Sequence, residues 1–146
     1  MSAAEDPLHT TATDLRLATF RLARRLRRER VDDTVSDAHF AVLACLHTNG
    51  RLLIGELAQR ERVTAPTMSN TVAALVEDGY VTRVQDEDDR RRVQVEITDA
   101  GTAVVTATVR KRDAALADAL AQLDFSEEEL QILREASALM RKVAER

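Results

Sequence analysis

The chain has 146 residues, of which 45% are hydrophobic, 3% aromatic and 32% charged, and its formal net charge is -4. These values fit one domain whose core is built mainly from aliphatic side chains, and they exclude disorder over most of the length. The negative charge excludes binding of nucleic acid by bulk charge alone, but it permits a local concentration of basic residues.

Cysteine content and the character of the N-terminus indicate where the protein works. Cys45 is the only cysteine, so an intrachain disulfide cannot form, which is typical of a reducing compartment. The first residues are polar and acidic, and no apolar run approaches the length of a membrane span. We therefore expect a cytoplasmic protein without a membrane partner.

The N-terminal part is predicted to be a short mobile tail over residues 1 to about 10, then an amphipathic helix from about Asp14 to Arg30. Its arginines are interpreted as a solvated face whose long stems lie over apolar surface, with steering of DNA as the alternative. The apolar stripe is broad enough to cover two surfaces, and it contains Leu15, Leu17, Thr19, Phe20, Leu22 and Leu26.

Three helices are predicted in the middle of the chain. Ser36 caps the second helix, which Asn49 and Gly50 end. Thr64 caps the fourth helix, which has Pro66 in its first turn and ends before Gly79. A short strand and the third helix lie between them, at residues 51–53 and 54–60.

A β-hairpin and two helices are predicted next. Residues 80–85 and 92–97 alternate like strands around a polar tip. One helix then runs from Thr98 or Asp99 to about Gln122, and the last one starts at a capping box, Ser126 with Glu129.

The predicted fold is therefore mainly α with a small β-hairpin wing: a winged helix-turn-helix flanked by N- and C-terminal dimerisation helices. We expect a tail and dimerisation helix at 1–35, a DNA-binding part at 36–98 and dimerisation helices at 99–146, all in one compact chain. The terminal helices carry apolar residues that need a partner surface, including Leu116, Leu120, Leu123, Leu133 and Val143.

The fourth helix is the predicted reading element, because the second helix of such a unit enters the major groove. Its outer face is small and polar, with Pro66, Thr67 and Asn70, while Ser69 lies on the flank. Thr64 caps the helix and can also reach a phosphate. The alternative is that these polar residues only cap and solvate the helix.

The hairpin tip is the second predicted DNA contact. Arg90 and Arg91 follow four acidic residues, and arginine at such a tip can enter a narrow minor groove. Alternatively, the acids and arginines pair with each other across the tip. Both can hold if Asp86 or Asp89 positions Arg90 through a bidentate pair.

These motifs resemble the MarR family of bacterial transcription regulators. The resemblance rests on residues 54–58 (IGELA), 63–69 (VTAPTMS), 75–81 (LVEDGYV), 88–91 (DDRR) and 97–101 (ITDAG). This chain departs from the family pattern at Glu87, where proline is frequent, and at Asn70, where a basic residue is frequent.

The resemblance implies a homodimer held by its first and last two helices, which binds a pseudo-palindromic operator. Most such proteins repress, and many release DNA when a small aromatic or other lipophilic effector binds. By the same resemblance the major groove would meet Thr64, Thr67, Ser69 and Asn70. Arg90 and Arg91 would serve the wing, and Arg83 would lie near the DNA backbone.

An effector pocket is expected between the first, second and fifth helices, lined by Arg16, Phe20, His39 and Phe40. Cys45 lies among apolar residues in its helix and is interpreted as a core residue rather than a redox sensor. The histidines show no metal-ligand spacing, so neither a metal nor a cofactor is expected.

Three classes of function remain to be weighed. A sequence-specific regulator is favoured by the motifs. An interaction module that has lost DNA binding is the alternative, because the wing is rich in acids and the net charge is negative. An enzyme has no support, since the sequence lacks a Gly-rich phosphate loop, a nucleophile elbow and metal-ligand spacing.

Overall fold

The computed structural model describes residues 6–146 as six helices and a small antiparallel sheet. This is the expected winged-helix layout. The chain divides into two compact units, Met1–Arg112 and Asp113–Arg146, while the three-part functional division stays a prediction. The elements are α1 (Pro7–Arg27), α2 (Asp37–Asn49), β1 (Leu52–Leu53), α3 (Ile54–Arg60), α4 (Ala65–Glu77), β2 (Val81–Gln85), β3 (Val93–Ile97), α5 (Asp99–Gln122) and α6 (Glu127–Ala144).

Helix α1 begins earlier than predicted. The Asp6 carboxylate accepts a hydrogen bond from the Leu8 N–H at 3.1 Å, and Pro7 occupies the first turn, where its missing N–H costs nothing. The predicted tail is therefore wrong for residues 7–10, and its first five residues lie outside the described part of the chain. The helix also ends at Arg27, three residues before the predicted end.

The core of the first unit is formed by the helix-turn-helix and its sheet. Leu43 and Leu46 of α2, Leu57 of α3 and Leu75 of α4 are almost completely buried together with Val95 of β3. Each fully buried aliphatic side chain of this kind contributes about 1.5–3 kcal/mol to folding. This packing fixes α4 on the helices behind it.

The sheet has the order β1-β3-β2, so the predicted hairpin gains a third strand from residues 52–53. In the hairpin Val81 pairs with Ile97, and Gln85 pairs with Val93 next to the tip. The base is closed by Thr98, whose hydroxyl donates to the Gly79 carbonyl at 2.7 Å. The wing therefore projects from a fixed base at the end of α4.

A tight turn joins α3 to α4. Arg62 has a φ of 54°, which is the left-handed region that most side chains avoid. The Val63 N–H donates to the Ala58 carbonyl at 3.0 Å and holds the turn closed. The turn thus sets the angle between the two helices although no glycine marks it in the sequence.

The two terminal helices bury no residue completely. In α1, the side chains of Phe20 and Leu22 are 64% and 42% exposed, and in α6 those of Leu139 and Val143 are 61% and 65% exposed. The capping box at Ser126 and Glu129 forms as predicted. In the described part of the chain, no helix combines the length and the apolar character needed to cross a membrane.

Candidate nucleic-acid interface

The start of α4 is built by local capping. The Thr64 hydroxyl accepts a hydrogen bond from the Thr67 N–H at 3.3 Å, and the two threonine hydroxyls lie 2.8 Å apart. Pro66 takes its place in the first turn. Pro66 has no N–H and that of Thr67 is bonded to Thr64, so the Ala65 N–H remains to favour, with the positive end of the helix dipole, an anion such as a DNA phosphate.

The predicted reading residues lie together on the solvent side of α4. Thr64, Pro66, Thr67 and Asn70 are exposed, and Ser69 is half-buried on the flank. The opposite face of the helix is buried through Met68, Val72 and Leu75. The buried face thus holds α4 in place, and the opposite face presents short polar side chains to solvent, which is what contact with base edges requires.

The acidic residues of the wing tip support its backbone. One carboxylate oxygen of Asp86 accepts hydrogen bonds from the N–H groups of Asp88 and Asp89, at 2.9 and 3.2 Å. These backbone hydrogen bonds lower the pKa of Asp86, burial opposes them, and the nearby Arg92 charge makes a lesser contribution that also lowers it. Part of the negative charge is therefore used to shape the turn.

At the wing tip, the arginine that a carboxylate contacts differs from the one predicted from the sequence. Asp89 accepts from the Arg91 N–H at 3.0 Å and lies 3.5 Å from the Arg91 Nε, so its partner is Arg91. The predicted pair of Asp86 or Asp89 with Arg90 is wrong. Asp86 bonds to the backbone of the tip, and the turn brings the Asp89 carboxylate to Arg91. The Arg91 side chain stays 94% exposed, and Arg90 is exposed as well, so both can reach outward.

Two further arginines lie near these elements. Arg83 is exposed on β2, which is an edge strand of the sheet. Arg62, which the sequence argument missed, is exposed in the turn before α4. Its position in the sequence could have identified it, because Arg62 lies two residues before the Thr64 cap, where its charge adds to the positive end of the helix dipole.

The four residues expected around an effector are distributed over two helices. Arg16 and Phe20 are exposed on α1. On α2, the Nδ1 of His39 is buried without a hydrogen-bond partner among the described residues. Phe40 lines a cavity of about 10 Å³ to which neither Arg16 nor Phe20 contributes. A cavity of this size holds one water molecule, so a larger ligand requires the surrounding side chains to move.

Cys45 is half-buried on α2 and packs against the core. Burial raises the pKa of its thiol, the Glu61 charge acts in the same direction, and Arg60 opposes them. A raised pKa leaves little of the reactive thiolate at neutral pH, which agrees with a packing role.

Comparison with known proteins identifies the family. The family profile described as MarR family matches residues 35–93. An HTH-type transcriptional regulator of Mycobacterium tuberculosis is 40% identical over 129 residues, which are 88% of this chain and 89% of that protein. The chain belongs to the MarR family. The protein is thus a transcription regulator of the MarR family and not an enzyme.

Two other relatives extend the comparison. The MarR-family structure from Bacillus stearothermophilus has a TM-score of 0.83 at 23% identity, covering 99% of this chain and 100% of that chain, and shows the shared fold. The transcriptional repressor YetL of Bacillus subtilis is 34% identical over 71 residues, which are 47% of this chain and 42% of that protein. MarR-family regulators bind DNA and act as dimers.

Proposed function

We propose that this protein represses transcription by binding a pseudo-palindromic operator as a homodimer, and that a small aromatic or other lipophilic effector releases it. The observation that carries the proposal is the pairing of two exposed elements on one rigid unit. Helix α4 presents a short polar face, and the wing presents the exposed Arg90 and Arg91.

Each element suits one part of a duplex. The α4 face can enter the major groove, where an asparagine such as Asn70 can form two hydrogen bonds with adenine. Thr64 and the Ala65 N–H beside it suit a phosphate, which fixes the register. Arg90 and Arg91 suit the adjacent minor groove, which attracts arginine when it is narrow. Arg83 suits the backbone between them.

The dimer is proposed from the apolar surface of the terminal helices. Phe20 and Leu22 on α1, and Leu139 and Val143 on α6, lie exposed in the single chain. Contacts between two copies would remove these side chains from water, at about 25 cal/mol for each Å² buried. A two-fold dimer presents two α4 helices, which accounts for an operator with two related half-sites.

Repression would result when the dimer occupies the operator, and release would result when the effector binds the dimer. A dimer bound across a promoter excludes polymerase, and the relative YetL is named a repressor.

The proposed effector site includes Arg16 and Phe20 of α1 with His39 and Phe40 of α2. An effector that enlarges the small cavity beside Phe40 would displace α2, which packs behind α4. A regulator of chromosomal DNA in bacteria acts in the cytoplasm.

The test is a gel shift of purified protein on DNA from upstream of its own gene, at two salt concentrations, with unrelated DNA as competitor. We expect a specific complex whose affinity falls steeply with salt, since counterions are released from the phosphates. If this fragment does not shift, selection of bound fragments from the whole genome extends the same test. Binding to no fragment would contradict the proposal.

Loss of DNA binding would instead favour an interaction module with the same fold. The acid-rich wing was the reason to consider it. Because Asp86 serves to cap the tip backbone, the acids have a structural use that leaves Arg90 and Arg91 exposed. The regulator is therefore the function that the geometry supports best.

A further inference from the structure

An arginine-lined cleft lies at the C-terminal end of α1. It is shallow and largely open to solvent, with a volume of about 470 Å³. Four arginines and two aspartates form its walls, in a chain whose net charge is -4. The lining residues are Arg24, Arg27, Arg28, Arg30, Asp33 and Asp37.

Most of the positive charge in this cleft has no carboxylate partner. Within residues 6–146, the salt bridge of the cleft joins Arg30 to Asp37 at 2.9 Å, and none reaches Arg24, Arg27 or Arg28. Arg30 is held in place further, because its Nε donates to the Arg27 carbonyl at 3.2 Å. Like charges at close range repel each other, and an anion among them would remove that repulsion.

A fifth arginine adds positive charge beside the cleft. Arg112 lines the small cavity next to Phe40, and that cavity shares Arg30 and Asp37 with the cleft. The Arg112 guanidinium lies over the Phe40 ring at 4.4 Å, and its buried Nε has no partner in the described residues. Burial lowers the pKa of Arg112, Asp37 opposes this, and the Arg30 and Arg27 charges lower it further.

We propose that this cleft binds a small ligand that carries two linked phosphoryl groups, an organic diphosphate. The four arginines and two aspartates of the lining leave a net charge of two, and Arg112 beside the cleft brings it to three. Two phosphoryl groups carry about three negative charges near neutral pH, which match this positive charge. A guanidinium donates two parallel hydrogen bonds to phosphoryl oxygens, so arginine suits this ligand better than lysine does.

The position of the cleft favours a small ligand over the operator backbone. The connection from α1 to α2 reaches the base of the wing, where the Tyr80 hydroxyl donates to Asp32 at 3.1 Å. Tyr80 follows the C-terminal end of α4, whose 13 residues span roughly 20 Å, whereas the reading residues occupy its N-terminal half. The wing tip lies a further five-residue strand away from Tyr80.

The proposal is tested by titrating inorganic pyrophosphate into the full-length protein in a calorimeter, without DNA and at about physiological ionic strength. We expect saturable binding that Arg24→Gln with Arg28→Gln weakens at least tenfold. The matched control is Arg21→Gln with Arg25→Gln, which removes the same amount of charge from α1 but outside the cleft, and it should leave the affinity unchanged.

Three results would overturn the proposal. Wild-type protein that binds no pyrophosphate lacks the site, and equal weakening in both variant pairs shows attraction by bulk charge. In a gel shift on the operator, a salt dependence reduced by the Arg24 and Arg28 changes, without pyrophosphate binding, shows that the cleft holds the DNA backbone. Because the titration contains no DNA, its failure leaves operator binding untouched, and failure of the gel shift leaves the cleft untouched.

Discussion

The hydroxyl of Tyr80 donates a hydrogen bond of 3.1 Å to the Asp32 carboxylate, which lies 48 residues earlier in the chain. The same carboxylate accepts from the Thr34 N–H and hydroxyl, at 2.8 and 2.6 Å. The loop after α1 is thereby tied to the base of the wing. A change in the position of α1 or α2 can therefore reach the DNA-binding elements through this contact.

The first prediction concerns the pH dependence of stability through Asp32. Its pKa is lowered from 3.8, first by the Thr34 hydroxyl, then by the Thr34 N–H, with burial opposing and Tyr80 contributing less. A lowered folded-state pKa stabilises the fold above the unfolded value, and this contribution is lost as pH falls through the folded value. The stability difference between wild type and Asp32→Asn should thus be present at neutral pH and disappear as the pH falls below the ordinary carboxyl pKa of 3.8.

Urea unfolding at a series of pH values measures that difference. Asp33→Asn is the control, because within residues 6–146 the Asp33 carboxylate accepts no hydrogen bond, in contrast to that of Asp32. A difference for Asp32→Asn that stays constant down to the lowest pH would contradict the assignment.

The second prediction concerns Gly101 at the start of α5. A Cβ there would collide with the Tyr80 carbonyl oxygen and come within 2.8 Å of the Ile97 Cγ1. Gly101→Ala should therefore destabilise the protein by about 1–3 kcal/mol, because backbone cannot move aside cheaply. Gly55→Ala is the matched control, since a Cβ at Gly55 meets no atom within 4 Å. Equal unfolding midpoints for the two variants would disprove the close approach.

The third prediction separates capping from DNA contact at Thr64. Thr64→Ala and Ser36→Ala each remove an N-cap hydroxyl, so each should cost about 1 kcal/mol of stability. Only Thr64 lies on the proposed DNA face, so only its variant should also lose operator affinity. Thermal unfolding and gel shifts of both variants decide the point, and equal affinities would leave Thr64 as a cap alone.

The fourth prediction concerns the wing arginines. Replacing Arg90 and Arg91 with alanine should weaken operator binding by ~2–4 kcal/mol, because both side chains would leave the minor groove. The paired control changes Arg141 and Lys142 to alanine, which removes the same charge near the end of α6. Gel shifts at one salt concentration provide the measurement. Unchanged affinity of the wing variant would remove the wing from the mechanism.

The fifth prediction concerns the dimer. Leu139→Asp with Val143→Asp should give monomers at about micromolar concentration, because charge in a buried apolar interface is costly. Light scattering measures the mass, and Val31→Asp, at an exposed valine outside the terminal helices, is the control. Wild-type protein that scatters as a monomer would refute the proposed assembly.

The sequence by itself determined the elements and the orientation of α4. Ser36, Thr64 and Ser126 are local signals, since each cap bonds to an N–H three residues later, and all three caps form as predicted. Helical periodicity placed Met68, Val72 and Leu75 inside, so the polar residues of α4 had to face outward. Asp6 before Pro7 was an equally local signal for the start of α1, and the prediction of a tail overlooked it.

Only the tertiary structure decided which distant groups meet. The contact of Tyr80 with Asp32 depends on how the helices pack, and no periodicity within either segment encodes it. The arginine cleft likewise arises where the loop after α1 brings Asp33 and Asp37 back beside the last turn of the helix. Hydrogen bonds and charges act over a few ångströms, so their pairing across the chain is determined by packing.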